Sequence, residues 1–262
     1  MRVHLGRIVV YPIKSLDGVV REEALITPGG FLEHDRVYAM VDAQGKYVNG
    51  KRDARVHRLR CRFDPSIQEI VLSEQGSDRE GRFVLGEPEP LNRWLGEYFG
   101  FAVTLVREPT RGFPDDRDAP GPTVVCRSSL SAVAGWYPGL TLPGVRQRFR
   151  ANLELDGEDA PAFWEDRLYG AAGERPPFRI GEVELFAHNP CQRCVVPTRD
   201  AETGEGMAGF QKEFMARRSE ALPPWANRSR FNHFYRLAVN TSVPGSESGK
   251  RLRSGDIVQL TA

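Results

Sequence analysis

The chain has few cysteines and no segment that is apolar enough to cross a membrane. Its 262 residues include four cysteines, too few for the disulfide framework of a small secreted protein. No run approaches the roughly 18 apolar residues that a membrane span needs. The N-terminal stretch MRVHLGRIVVYPIKS alternates like a strand and lacks the apolar region of a signal peptide. These absences predict a cytoplasmic protein that does not bind membranes.

The chain also lacks an excess of charge of either sign. Its 36 Lys and Arg residues and 35 Asp and Glu residues give a formal net charge of +1. Binding to nucleic acid or to an anionic membrane therefore has no overall electrostatic support. The phosphate-binding pattern G-x-x-x-x-G-K-[ST] is absent as well. We expect neither nucleic acid nor a membrane among the partners.

What the sequence does contain is many short strand-like segments. Predicted strands cover 6–13, 20–27, 36–42, 69–73, 82–86, 101–107, 123–127, 148–155, 177–187, 193–198, 229–240 and 256–260. Three helices are predicted, at 89–100, 128–136 and 207–218, and the second of them begins with a serine N-cap. This pattern predicts a mainly β protein with α+β elements, a barrel or a sandwich, and argues against a doubly wound sheet. The Pro-, Gly- and charge-rich stretch 108–122 is the candidate boundary between two domains.

Two of the four cysteines form a C-x-x-C pair, Cys191 and Cys194, in the segment HNPCQRCVVPTRDAETGEGM. With His188 they could form part of a zinc knuckle, although a fourth ligand is missing. They could be a redox dithiol, although no helix is predicted to begin there. They could also be two small buried side chains. In the remaining interpretation one of them is a reactive thiolate, favoured by Arg193 between them. Spacing alone does not choose among these four.

The same segment carries a family resemblance. NPCQRCVVPTRDAETGE resembles the signature of the MOSC family, the C-terminal domain of molybdenum-cofactor sulfurases, which also occurs in amidoxime-reducing proteins. The N-terminal stretch from VYPIKS to VDAQGKYV resembles the β-barrel segment that precedes MOSC in those proteins. The resemblance implies an N-terminal β-barrel-like lobe, residues 1–107, packed on a MOSC β-barrel, residues 108–262.

The resemblance also implies a cofactor and its contacts. In the family's amidoxime-reducing members the second signature cysteine is the single protein ligand of molybdenum in molybdenum–molybdopterin, and here that position is Cys194. A soft thiolate suits a metal whose other ligands include the pterin's sulfurs. Cys191 is then a residue of the pocket wall. The other positions implied to contact the cofactor are Lys14, Ser15, Arg36, Ser128, Ser129, Arg150, Asn152 and Arg193.

The function implied is that of a molybdenum-dependent oxidoreductase. It would reduce small N-hydroxylated compounds of the amidoxime type by removing the oxygen of the N–OH group. The chain lacks a ferredoxin-type cysteine cluster and a haem-attachment motif. Electrons would therefore come from a separate redox protein of the ferredoxin or cytochrome type. The alternative is a non-catalytic protein that carries sulfur on Cys194 or handles the molybdenum cofactor.

Overall fold

Strands dominate the computed structural model, which describes residues 2–261. The fifteen strands in this range are β1 (His4–Val10), β2 (Val19–Arg21), β3 (Glu23–Leu25), β4 (Tyr38–Asp42), β5 (Leu59–Phe63), β6 (Glu69–Glu74), β7 (Glu80–Val84), β8 (Val103–Arg107), β9 (Val124–Cys126), β10 (Leu153–Asp156), β11 (Pro177–Ile180), β12 (Val183–Gln192), β13 (Arg236–Ser242), β14 (Arg251–Arg253) and β15 (Val258–Leu260). The four α-helices are α1 (Pro88–Phe99), α2 (Arg127–Gly135), α3 (Leu142–Phe149) and α4 (Phe210–Glu220). The predicted mainly β class with α+β elements is confirmed.

The largest sheet has eight strands in the order β15-β11-β12-β13-β9-β10-β1-β2. β9 and β10 are parallel, and the other neighbours are antiparallel. In this order β15 and β2 are the two ends, and the sheets do not close into barrels. Every residue of the three-residue β15 pairs with β11. The first residue of β15 and the residues before it also contact the start of the chain. A bridge joins His4 to Ile257, and hydrogen bonds run from Leu5 N to Asp256 O and from Gly255 N to Leu5 O, both at 2.7 Å, and from Val258 N to Val3 O at 2.9 Å.

Three smaller sheets complete the fold: β14-β3, β4-β8 and β5-β6-β7. β1 and β2 lie in the large sheet with strands from the C-terminal half, and β3 pairs with β14. Strands from both sides of the expected boundary at residue 107 therefore share sheets. The division into 1–107 and 108–262 itself stays a prediction.

Helix α1 follows the predicted pattern. Leu91, Leu95 and Phe99 are its buried face, and Gly100 ends it in the left-handed conformation with φ of 71°. Helix α2 starts one residue earlier than predicted and has no side-chain cap, because its first flanking residue is Cys126. No helix among residues 2–261 is long and apolar enough to span a bilayer.

One predicted strand is correct only in its second half, where β10 lies, and another has a different structure. The range 148–155 begins inside α3, which Thr141 caps by accepting a hydrogen bond from Gly144 N at 3.3 Å. The range 193–198 is irregular and ends in a 3₁₀ turn, Val196–Thr198. Pro197 lacks the N–H group that a strand would use. As a result β12 ends at Gln192, and Cys194 follows it on a connecting segment.

The residues around α4 include a glycine pattern that invites a nucleotide interpretation. Gly204, Gly206 and Gly209 have the spacing G-x-G-x-x-G directly before α4. No strand leads into them, because residues 200–206 form a turn closed by a bridge between Arg199 and Gly206. Since a dinucleotide fold needs a strand before the glycines, the pattern carries no nucleotide site here.

Candidate functional site

A cavity of about 1020 Å³ opens beside the end of β12. Segments distant in sequence line it, including those around residues 7–20, 111–121, 146–151 and 189–201. Of the site residues predicted from the sequence, Lys14, Ser15, Arg36, Arg150, Arg193 and Cys194 are among its lining residues. A volume of this size suits a cofactor or a drug-sized ligand.

The cavity wall is strongly cationic although the chain as a whole is nearly neutral. Fourteen Lys and Arg side chains line it, against five Asp and Glu side chains. The whole chain has a formal net charge of +1. A concave surface lined by one sign of charge attracts and concentrates ligands of the opposite sign. The cavity is therefore suited to an anionic ligand.

Three non-glycine residues of the cavity have a left-handed backbone. Ser15 has φ of 77°, and Arg36 and Arg150 both have φ of 52°. Such conformations are unfavourable for residues with a Cβ atom and cluster at functional sites. All three are among the residues whose sequence context implied cofactor contacts. The backbone strain and the implied contacts thus fall on the same positions.

Arg36 is held by a buried polar network. Its guanidinium forms a salt bridge with Asp35 and donates to Asn152 Oδ1 at 3.2 Å. The Asp35 carboxylate accepts from Tyr11 N at 2.8 Å and from Asn152 Nδ2 at 3.0 Å. Burial lowers the pKa of Arg36, but the charges of Asp35 and Asp115, together with the bond to Asp35, outweigh it, so the pKa lies above its usual value. Asn152 is not among the cavity-lining residues, and its contacts orient the arginine that is.

Arg150 follows α3 and faces the same network from the other side. Its guanidinium lies 4.2 Å from the centre of the Tyr11 ring and donates to the Leu16 carbonyl. Among residues 2–261 it forms no salt bridge with a carboxylate. Burial lowers the pKa of Arg150, and the charge of Arg36 lowers it further. The cavity therefore has a half-buried cation whose charge is not neutralised by the protein.

Lys14 is enclosed by the segment that the sequence marked as a domain boundary. Its Nζ donates to Phe113 O and to Asp115 Oδ1, both at 2.8 Å, and lies 5.5 Å from the centre of the Tyr47 ring. Burial lowers the pKa of Lys14, and Asp115 opposes this shift. For Asp115, desolvation is outweighed by Lys14 and Arg36, so its pKa lies below the usual range. The Asp115 carboxylate thus already accepts one of the hydrogen bonds that the Lys14 ammonium group can donate.

The cysteine pair lies at another part of the cavity wall. Cys191 and Cys194 are both half-buried free thiols. Arg193 donates from its Nη1 to Cys191 Sγ at 3.2 Å and from its Nη2 to the Phe149 carbonyl. The guanidinium of Arg193 therefore links the first cysteine to the end of α3. Cys194 has no comparable side-chain contact in the part of the chain that the structure describes.

The structure gives no support to a zinc knuckle at this pair. His188, the third ligand considered, bonds through Nε2 to Ser242 Oγ at 2.7 Å. Within residues 2–261 no three His, Cys, Asp or Glu side chains converge in a way that could hold a metal. A metal bound here would have one protein thiolate and would need its remaining ligands from elsewhere. The donor set fits a cofactor that brings its own sulfur ligands.

Ser128 and Ser129 are not brought to the cavity. Ser129 is fully buried and donates to Glu165 Oε2 at 2.6 Å, while accepting from Phe163 N at 2.6 Å. Ser128 donates to Pro161 O at 2.9 Å. Both hydroxyls therefore donate hydrogen bonds within the fold and do not face the cavity. Burial raises the pKa of Glu165, the partner of Ser129, to about 8.

Sequence reasoning missed one entire wall of the cavity. The stretch 111–121, interpreted only as a boundary, supplies ten of the cavity's lining residues. Further basic lining residues that were not predicted as site residues are Arg7, Lys51, Arg60, Arg146, Arg148, Arg199, Arg230 and Arg236. The one available signal was the mixture of charge with Pro and Gly at 108–122, which is typical of functional loops as well as of linkers.

Two family models match the chain. The MOSC N-terminal beta barrel domain matches residues 2–84, and the MOSC domain matches residues 121–259. The chain belongs to the MOSC family. No curated protein matches it in sequence. MOSC domains are associated with proteins that bind the molybdenum cofactor.

Similar solved structures are distant. The YUAD protein from Bacillus subtilis is 9% identical, with 98% of this MOSC chain and 94% of that chain covered and a TM-score of 0.38. A hypothetical protein is 11% identical, with 100% of this chain and 68% of that chain covered and a TM-score of 0.40.

Proposed function

We propose that this MOSC protein is a molybdenum-cofactor-dependent oxidoreductase that reduces small N-hydroxylated compounds. The observation that carries the proposal is the convergence of distant segments on one cationic cavity. Lys14, Arg36 and Arg150 come from three separate segments, and Cys194 lies on the same cavity. When bound, the cofactor would supply the two electrons that, with two protons, convert an N–OH group to N–H and water.

The chain's own residues would bind and orient this group. Cys194 would be the single thiolate ligand, and a thiolate must be deprotonated to ligate. Lys14, Arg36 and Arg150 would bind the anionic phosphate of the pterin, with Ser15 as a hydroxyl donor. Arg150 is suited to this role because the protein leaves its charge unpaired by a carboxylate, as described above. Arg193 would hold the cysteine segment against α3 through its bond to the Phe149 carbonyl.

The substrate and the electron donor complete the proposal. The substrate would be a small N-hydroxylated molecule that reaches the cavity beside Cys194. The donor would be a separate redox protein of the ferredoxin or cytochrome type. In an assay a chemical reductant, reduced methyl viologen, can replace the donor, so that the reductive step is tested without knowing the natural partner.

The decisive experiment measures the molybdenum content of protein made in a host that synthesises the cofactor. Wild type should contain near-stoichiometric molybdenum, Cys194→Ser should contain none, and the matched variant Cys191→Ser should retain most of it. Wild type should then reduce benzamidoxime with reduced methyl viologen. A persulfide on Cys194 in metal-free wild type, detected by mass spectrometry, would instead support a sulfur carrier. Equal molybdenum in all three proteins would exclude Cys194 as the ligand.

A further inference from the structure

We propose that Asp115 is an internal latch on the anion site of Lys14, which the phosphate of an incoming ligand displaces. The inference rests on the proposed function, because it takes the cavity to bind a phosphate-bearing cofactor. It adds a regulation of that site. The loop 113–120, called the linker loop below, would cover the lysine in the cofactor-free protein and move away as the phosphate takes the place of the carboxylate.

The contacts around Lys14 support a displaceable cover. Two of the three hydrogen atoms of the ammonium group are directed to the linker loop, one to Phe113 O and one to Asp115 Oδ1 at 2.8 Å each. The Phe113 ring packs edge-on against Tyr47, with centroids 6.0 Å apart. The side chain of Lys14 is 11% exposed. The linker loop therefore restricts access to a cation that an anionic ligand would need.

The linker loop is anchored at its ends and loosely held between them. At the first end Phe113 N donates to Arg36 O at 2.8 Å, and at the other Gly121 N donates to Thr241 O at 2.9 Å. Gly121 lies so close to that strand that a Cβ atom would come within 2.7 Å of Thr241 O. Between these ends, residues 114–120 make no backbone–backbone hydrogen bond within the described chain. Segments with few backbone bonds open at low free-energy cost.

Side chains hold the middle of the linker loop. Asp115 bonds to Lys14, and Asp116 Oδ2 accepts from Asn240 Nδ2 at 3.3 Å. The Asp115 side chain is 64% exposed. An ion pair with one exposed partner contributes little to stability, so a competing anion can replace it readily.

A phosphate is a stronger partner for this site than the carboxylate. It carries up to two negative charges and three acceptor oxygens, whereas Asp115 carries one charge. It can also meet several cations at once: the charges of both Lys14 and Arg36 already act on Asp115. A phosphate placed between Lys14, Arg36 and Arg150 gains from all three, while Asp115 pairs directly with Lys14 alone. The bound ligand and the latched loop therefore compete for the same ammonium group.

The test uses the full-length, cofactor-free protein and inorganic phosphate, with the dissociation constant measured by ³¹P NMR. The Asp115→Asn variant keeps the shape of the side chain and removes its charge, so we expect phosphate to bind about three- to tenfold more tightly. Asp118→Asn is the matched control, because Asp118 is an exposed carboxylate of the same loop. It should change the constant by less than about twofold, since exposed charges are screened by solvent and salt. In a Lys14→Met, Asp115→Asn double variant the gain should disappear.

Each other outcome contradicts the latch. Equal or weaker phosphate binding by Asp115→Asn would mean that Asp115 supports the site rather than competing for it. An equal gain in Asp118→Asn would indicate a general charge effect of the loop. A gain that persists without Lys14 would place the competition elsewhere. Absence of phosphate binding in every variant would also overturn the proposal.

Molybdenum analysis of the same proteins separates this inference from the proposed function. If wild type loads molybdenum and Asp115→Asn does not tighten phosphate binding, the latch is wrong and the oxidoreductase proposal stands. If Asp115→Asn tightens phosphate binding but no protein loads molybdenum through Cys194, the latch stands as a gate for another phosphate-bearing ligand. In that case the proposed function fails.

Discussion

The side-chain amide of Asn152 donates a hydrogen bond of 3.0 Å to the carboxylate of Asp35, across 117 residues of sequence. Both side chains are buried. Asn152 directly precedes β10, and Asp35 directly precedes Arg36. The contact therefore joins a segment of the C-terminal half of the chain to a segment of the N-terminal half. A side chain that is not itself in the cavity thus determines how a cavity arginine is presented.

Asn152→Ala should therefore destabilise the protein and disturb the Arg36 side of the cavity. The variant leaves Val9 O and Thr123 N without the partners that Asn152 supplies. Loss of several buried hydrogen bonds should lower the free energy of unfolding by about 2–4 kcal/mol. Denaturant unfolding measures this change. The exposed Gln259→Ala serves as control, and a comparable loss in both variants would contradict a special role for the network.

Arg150→Gln should separate binding from stability. The half-buried Arg150 has no carboxylate partner in residues 2–261, and burial lowers its pKa. Removing an unpaired, partly desolvated cation should leave the Tm of the cofactor-free protein unchanged or slightly higher. The same variant should bind inorganic phosphate more weakly and retain less molybdenum. A lower Tm together with unchanged phosphate binding would show that the residue serves the fold and not the ligand.

Local sequence patterns predicted some of these elements well, for clear physical reasons. Helix α1 has apolar residues at helical spacing and a Gly C-cap, and both signals are local. The predicted strand 148–155 is correct in its last residues, which belong to β10, and wrong at 148–149, where apolar residues such as Phe149 fit either period. The Thr141 cap and the Pro143 that follows were the better signals, since both are typical of a helix start. Arg150 is the C-cap of α3 and has the left-handed backbone that is common where a helix ends. A residue within a strand would not adopt this conformation.

The parts of the site that escaped prediction depend on contacts between distant residues. Asp115 and Lys14 are 101 residues apart, and nothing in the composition of 108–122 indicates which cation it meets. Cys194 and Lys14 were predicted together because each lies in a motif of the family. Two cavity arginines that were not predicted show this. Arg236 is brought there by the pairing of β13 with β12 at Gln192, and Arg230 donates from its Nη2 to the His188 carbonyl at 2.7 Å. The position of such residues in the cavity follows from contacts between distant segments, which a local sequence pattern does not predict.

The buried carboxyl of Glu165 should make stability depend on pH. Burial raises its pKa to about 8, and Asp166 adds to the shift, while the bond from Ser129 opposes it. A carboxyl whose pKa is higher in the folded state binds more protons when folded. Its contribution is fully present below the ordinary carboxyl range and is lost as the pH rises towards 8.

We therefore expect the free energy of unfolding to fall between about pH 5 and pH 8, by at most ~1.4 kcal/mol per pH unit. Glu165→Gln imitates the neutral carboxyl and should flatten this dependence. The exposed Glu158→Gln should retain the wild-type profile. Denaturant unfolding at several pH values measures all three proteins. Parallel profiles for wild type and Glu165→Gln would mean that Glu165 is ionised in the folded state.

Two adjacent arginines of α4 should differ strongly in how much stability is lost when each is replaced by alanine. Arg218 is 1% exposed and forms a salt bridge with the buried Asp166, and its guanidinium lies 3.9 Å from the Phe163 ring centre. Arg218→Ala would leave a buried carboxylate without its cation, beside Glu165, and should cost about 3–5 kcal/mol of stability. Arg217 pairs with Glu213 on the exposed face at 2.7 Å, and Arg217→Ala should leave the Tm nearly unchanged because solvent screens such pairs. Thermal unfolding of both variants measures the contrast. Similar Tm values would contradict the predicted contrast. A loss of stability in Arg218→Ala that diminishes at low pH would show that the cost comes from the ionised Asp166, which takes up a proton there.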